Sequence, residues 1–252
     1  RGHWRLHADY MQRSDIEIGL TGGGVLDPLT RARDSRYNID LLFNNESVAD
    51  DWGVNAELRY HHLDYSSGDG FQERPPGYVH VDDNGTPADS SDDIITVFPD
   101  GEINQMRSAE HRVTFDISGL YTGVDNHAIR LGAGITTQDL YRVEQIISDP
   151  ANPTQLVDVS DTSDAFAPEN DRVNRHLYLQ DVWNMTEALA LTIGARYDDY
   201  SDFGEALNPR LAVVWHTSDR LTTKLLYGKA FRAPSYRELY ASTAYAEPNA
   251  SL

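Results

Sequence analysis

The chain has 252 residues, no cysteine, 21 lysines and arginines against 40 aspartates and glutamates, and a formal net charge of −19. That balance argues against nucleic acid as a partner, because holding phosphates needs a basic surface, and the lack of cysteine removes disulfide scaffolds and thiol–metal sites. A mean hydropathy of −0.53, with no run of about eighteen apolar residues, excludes a transmembrane helix but not a membrane β-barrel, whose strands need only about 9–11 residues each.

Apolar residues keep to one parity from the start of the chain. Trp4, Leu6, Ala8 and Tyr10 alternate with His3, Arg5, His7 and Asp9; this predicts a strand over 3–11, a short turn at Gln12-Arg13-Ser14 and a second strand over 15–21. A long connection, Thr21 to Ser35, leads to a strand over 36–44, where Tyr37, Ile39, Leu41 and Phe43 oppose Arg36, Asn38 and Asp40. Beyond the short Asn45–Asp50 connection, Trp52, Val54, Ala56, Leu58 and Tyr60 oppose Gly53, Asn55, Glu57, Arg59 and His61 in a strand over 51–65.

The next connection, Ser66 to Gln105, is long, acidic and broken by Pro75-Pro76-Gly77. Its Asp82-Asp83 and Asp92-Asp93 clusters match no ordered calcium loop and read as solvated surface. Strands over 107–119 and 125–145 follow, joined by a short turn at Leu120–Val124. A long connection, Ile146 to Asp171, precedes strands over 172–184, 188–200, 207–217 and 220–231. In the clearest of these, Leu189, Leu191, Ile193, Ala195 and Tyr197 oppose Thr192, Arg196 and Asp198.

Neighbouring side chains on a strand point to opposite faces, so each segment has one oily and one wet side. A transmembrane barrel and a soluble antiparallel sheet with one solvated face share this pattern. Two features favour the barrel. Connections alternate between short and long, apart from Ser201–Ala206, as periplasmic turns and extracellular loops do. Aromatic residues fall into two sets, with Trp52, Trp183 and Trp215 beside short turns and Tyr60, Tyr65, Tyr141, Tyr197 and Tyr200 towards the long loops, as expected of belts at two membrane interfaces.

A family resemblance rests on the last third of the chain. Leu177-Tyr178-Leu179-Gln180-Asp181-Val182-Trp183, Leu189 to Asp198, Leu207-Asn208-Pro209-Arg210-Leu211-Ala212-Val213, and above all Leu226-Tyr227-Gly228-Lys229-Ala230-Phe231-Arg232-Ala233-Pro234-Ser235-Tyr236-Arg237-Glu238-Leu239-Tyr240 resemble, in order and spacing, the barrel of TonB-dependent outer-membrane receptors. Residues 1–171 match in architecture.

The resemblance implies an all-β, antiparallel segment of about ten strands from a barrel of about 22, in the outer membrane of a Gram-negative bacterium. Residues 1–252 would be a partial barrel domain, without the plug domain, the coupling box and the remaining strands; the opening Arg1, with no signal peptide ahead of it, fits an excised piece. The implied function is energy-coupled uptake of a scarce nutrient, a ferric siderophore before haem, cobalamin or a saccharide. Its partners are outer-membrane lipid, that ligand, and a TonB-type coupling protein reached through the plug. No cofactor, metal site or catalytic residue is implied.

Arg196, Arg210 and Arg232 are the candidate ligand-binding residues on the lumen side, with Asp198 able to pair with the arginines. Gly194 and Gly228 fall on the polar parity, where a missing side chain permits close approach or a bend. Pro234, lacking an N–H, is expected to end ladder pairing so that the chain turns out over the mouth. His61 and His62 point to opposite faces and cannot share a metal, whereas His3 and His7 share the lumen face with Arg5 and Asp9, where polar lining is the first reading. Haem receptors of the family carry a Phe-Arg-Ala-Pro box, an Asn-Pro-Asn-Leu-like box and a His between them; Glu247 to Leu252 loosely echoes the second box, but no His lies between Ser235 and Glu247.

Two rival readings remain at this stage. A complete ten-stranded outer-membrane enzyme, protease-like, predicts that the first and last strands close on each other; no nucleophile–base or carboxylate pair stands out at a telling spacing. A soluble all-β binding domain predicts that the Leu189/Leu191/Ile193 face is covered.

Overall fold

The computed structural model describes residues 1–20, 24 and 26–241; the Glu247–Leu252 echo lies outside them. Strands run β1 (His3–Leu20), β2 (Leu26–Ala49), β3 (Trp52–Ser66), β4 (Phe71–Arg74), β5 (Tyr78–Asp82), β6 (Ile94–Phe98), β7 (Glu102–Tyr121), β8 (His127–Asp149), β9 (Asn152–Asp158), β10 (Asn170–Thr186), β11 (Leu189–Tyr200), β12 (Gly204–Ser218) and β13 (Leu221–Gly228). One short helix, α1 (Tyr236–Tyr240), follows.

All strand pairings are antiparallel, and the main sheet has the order β1-β2-β3-β7-β8-β10-β11-β12-β13, with β4 added on β7 and β9 on β8. β5 and β6 form a separate hairpin inside the Ser66–Gln105 connection. Among the described residues β1 and β13 do not pair, so there the sheet is open at both edges, without the closure expected of a complete ten-stranded barrel.

The predicted faces are present, with the oily one outward and bare. Leu6, Leu177, Ile193 and Leu225 keep 69%, 53%, 53% and 62% of their surface, whereas the other parity holds Asp198 and His176 at 3% and 7%. Among the described residues no second sheet covers Leu189, Leu191 or Ile193. Burying hydrocarbon stabilises a fold by about 25 cal/mol per Å2, so a continuous bare apolar wall needs a non-aqueous neighbour. The alternation lapses low on the inner wall, where Ala128, Val182, Thr192, Ala212 and Leu226 form one cross-strand row.

Four local expectations are corrected. The turn at Gln12-Arg13-Ser14 is absent: β1 continues through a bulge, with the register shifting between Arg13 and Ile16 and Asp15 at φ 57°. An extra residue on one strand reverses the parity, which makes a polar trio resemble a break. The connection expected over Thr21–Ser35 is largely strand, since β2 starts at Leu26 and Arg13 pairs with Asp34 across the hairpin. The Ser66–Gln105 and Ile146–Asp171 connections likewise hold strands, as β4, β5, β6 and β9 with the extended ends of β7 and β8. The last strand stops at Gly228, six residues before Pro234, and the chain then folds inward.

Candidate functional site

Inward-facing residues from β3 round to β13 line a single concavity of about 1220 Å3, together with Ala233 to Tyr236. A flat sheet would not bring Asn55 on β3 and Gly228 on β13 to one cavity, so the sheet curves with its polar face concave.

At the centre of the wall, two strands reach across a third. Asp116 on β7, Gly134 on β8 and His176 on β10 are successive cross-strand partners, as are Gly132 and Tyr178 one step below. His176 Nε2 lies 2.7 Å from Asp116 Oδ2, and the Tyr178 hydroxyl donates to Asp116 Oδ1 at 3.2 Å. Both rings lie over β8, which is possible because Gly132 and Gly134 have no side chain. A Cβ on Gly134 would sit 2.5 Å from His176 Cε1 and 2.6 Å from the Phe115 carbonyl oxygen; one on Gly132 would sit 2.2 Å from Tyr178 Cζ. Next to this brace, Arg196 grips Asp198 with three hydrogen bonds of 2.8–3.0 Å, and Asn174 Nδ2 donates to Asp198 at 3.2 Å. Sequence reasoning places Asp116 on the wet face opposite Val113, Phe115 and Ile117 but singles out neither it nor His176 as a site residue, because the pattern of one strand does not reveal which residues its neighbours place opposite.

The segment after β13 crosses the upper inner wall and docks on β8. Tyr236 OH donates to the Gln138 carbonyl at 2.9 Å, and Tyr236 packs with Leu140 and Val143, flanked by Phe166 and Tyr240. Arg172 at the top of β10 clamps the crossing: it donates to the Pro234 carbonyl at 2.9 Å, pairs with Asp202 at 2.7 Å, and sits 5.0 Å and 4.9 Å from the Phe203 and Tyr236 ring centres. Burial pushes the Tyr236 hydroxyl well above its ordinary range. The Phe-Arg-Ala-Pro stretch therefore folds over the inner wall under the hold of Arg172, 62 residues earlier, and the expectation that it turns out over the mouth is corrected.

Of the three candidate arginines, Arg196 and Arg210 do face the concavity. Arg196 is consumed by Asp198, whereas Arg210 reaches the Gln180 side-chain oxygen, with no carboxylate partner among the described residues. Arg232 is an exposed partner of Glu238 at 2.6 Å. Its guanidinium, with the Ser235 amide and hydroxyl, holds the Glu238 carboxyl down at about 2, while the Glu238 amide donates back to Ser235 Oγ at 3.3 Å. That reciprocal arrangement caps α1 and gives Arg232 a structural task. His7 lies 3.4 Å from Asp9 on the inner face, and among the described residues no group of three or more histidines and acids is placed to hold a metal ion.

The family model for the β-barrel of TonB-dependent receptors matches residues 4–252. The chain belongs to the TonB-dependent receptor family. The family is one of outer-membrane receptors and transporters rather than an enzyme class, and the chain belongs to the outer membrane of a Gram-negative cell. The iron-regulated outer membrane virulence protein of two Vibrio cholerae serotype O1 strains is 34% identical over 62 residues, 25% of this chain and 10% of that protein. Two solved structures share the fold: a mutant ferric enterobactin receptor from Pseudomonas aeruginosa (TM-score 0.61, 17% identity) and a ferric enterobactin receptor in a complex (TM-score 0.55, 16% identity). Each comparison covers 94% of this chain and 32% of the other, so the receptor barrel segment spans about a third of the length of these structures.

Proposed function

We propose that residues 1–252 are part of a longer barrel whose complete protein takes up a ferric siderophore in an energy-coupled, TonB-dependent manner. The observation that carries the reading is the division of the curved sheet: a bare apolar wall outside, and a charged concavity inside. Such a wall suits lipid, and such an interior suits a polar cargo crossing it. Iron as the cargo draws support from the names of the relatives, one iron-regulated and others ferric-chelate receptors. The receptor's partners are then outer-membrane lipid, the chelate, and the coupling protein acting through a plug domain.

The test is radio-iron uptake by cells expressing the full-length receptor in a strain stripped of its own ferric-siderophore receptors, with and without the coupling protein. Uptake that disappears with the coupling protein is expected. Uptake indifferent to it, or none from any siderophore class, would refute the proposal.

A further inference from the structure

The connection between β3 and β7 carries a small sheet of its own. β5 and β6 pair with each other, and among the described residues neither joins a further strand. Val79 pairs with Val97 and Val81 with Ile95, so these four β-branched side chains share one face. Val79, Val97, Val81 and Ile95 keep 48%, 51%, 51% and 66% of their surface. The opposite face is the one tied down. Phe98 is 3% exposed, its carbonyl accepts from the Gly77 and Gly101 amides at 2.9 Å and 3.1 Å, and its ring centre lies 6.1 Å from that of its cross-strand partner Tyr78, over which the Arg74 guanidinium sits at 5.1 Å. Asp92 closes the tip, accepting from Asn84 Nδ2 at 3.3 Å and from Thr86 Oγ1 at 2.8 Å.

Two strands alone are marginal in water until something packs on their apolar side, and clustered exposed hydrocarbon marks a contact surface. This patch is separate from the apolar wall of the main sheet, and its surroundings carry one sign of charge. Asp82, Asp83, Asp89, Asp92, Asp93 and Asp100 lie within residues 75–101, which hold no lysine or arginine; the Ile146–Asp171 connection, whose β9 lies beside β6, holds none either. Carboxylates at that density repel an anionic surface and attract a partner bearing cations.

We propose that the Val79/Val81/Ile95/Val97 face is a docking surface for a cationic amphipathic segment of a protein or peptide, which packs its apolar side on the four aliphatic side chains and sets lysines or arginines among the surrounding carboxylates. The surface is independent of the cargo that the receptor takes up.

The experiment titrates the full-length receptor, in nanodiscs of zwitterionic lipid, into a fluorescein-labelled peptide of alternating leucine and lysine, with receptor-free nanodiscs as the blank and anisotropy as the readout. Saturable binding that weakens at high salt is expected. Val81→Thr/Ile95→Thr removes hydrocarbon while keeping the β-branched shape that strands favour; it should weaken binding about tenfold, the scale of losing interface anchors. Ile94→Thr, on the opposite face, should leave binding unchanged, and a peptide of alternating leucine and glutamate should bind about tenfold more weakly. Absence of binding, equal affinity for the two peptides, unchanged affinity in the double variant or an equal loss in Ile94→Thr overturns the proposal. A second measurement reads prior occupation: Val81→Cys should react with a water-soluble maleimide as an exposed thiol does, followed by peptide mass spectrometry, and be slowed by the leucine–lysine peptide. Protection before any peptide is added gives the face to lipid, to a second copy or to another part of the receptor, and overturns the proposal.

Discussion

Gly132 and Gly134 offer the most quantitative handle on the inner wall, because the same substitution meets different obstacles two residues apart. In Gly132→Ala the three atoms nearest the new methyl all belong to Tyr178, Cζ, the hydroxyl and Cε1, and the free end of a tyrosine can swing away. The swing forfeits the hydrogen bond to Asp116 and the ring contact with His176, whose centroids lie 6.1 Å apart. A hydrogen bond to a charged group contributes about 1.5–3 kcal/mol and an aromatic pair about 0.5–1.5 kcal/mol, offset by about 0.4–1 kcal/mol from a less flexible unfolded chain. The net loss is about 1–4 kcal/mol. In Gly134→Ala the methyl meets His176 and also the Phe115 carbonyl oxygen at 2.6 Å, which belongs to the neighbouring strand's backbone and cannot swing. Overpacking of about 1–3 kcal/mol then adds to a buried histidine–carboxylate pair losing its geometry, for a total of about 3–5 kcal/mol.

The assay is reversible denaturant unfolding of the full-length receptor in lipid vesicles, followed by tryptophan fluorescence. Removing the obstacle distinguishes the two sites. Gly132→Ala on a Tyr178→Ala background should cost almost nothing further, whereas Gly134→Ala on a His176→Ala background should keep a sizeable penalty, because the carbonyl remains. Equal costs for the two glycines, or full relief of Gly134→Ala by His176→Ala, would refute the reasoning.

Two further predictions concern the crossing segment. Arg172→Gln leaves Asp202 buried without its partner, an effect of about 3–5 kcal/mol on local docking, so amide exchange over residues 229–241 should accelerate strongly; Arg172→Lys, lacking the planar fork, should restore it only in part, and unchanged exchange would contradict the clamp. The pH dependence follows from Glu238, whose folded pKa is depressed. Its contribution is complete above the ordinary glutamate range and is lost as pH falls towards about 2. Exchange at the start of α1 should therefore stay slow at pH 5 and rise between about pH 4 and pH 2, whereas release near pH 6 would show that another group controls docking.

Period-two alternation made the faces of the sheet legible, because burial on a pleated strand enforces it residue by residue. The ends of β10, β11, β12 and β13 fall within three residues of the predicted boundaries. The bulge at Ser14 and Asp15 was not legible, since a two-for-one register shift inverts parity and looks the same as a turn in sequence. The inward course of Phe231 to Tyr240 was hidden for a different reason: its determinants, Arg172, Asp202 and Gln138, lie on other strands. At the candidate site, Arg196 and Arg210 were placed on the correct wall by parity alone. Their fates separated only when register set Asp198 beside one and Gln180 beside the other. The glycines on the polar parity were noticeable, yet only the pairing shows that Gly194 gives way to a side chain and Gly228 to empty space.

The central claim is that this curved sheet faces hydrocarbon with one parity and water with the other, and β11 tests it residue by residue. Nitroxide labels placed singly at 189, 191, 193, 195 and 197, and at 190, 192, 194, 196 and 198, in the full-length receptor in bilayers should alternate between collision with oxygen at the first set and with a water-soluble nickel chelate at the second. Aqueous accessibility throughout the first set, or no alternation along the strand, would contradict it.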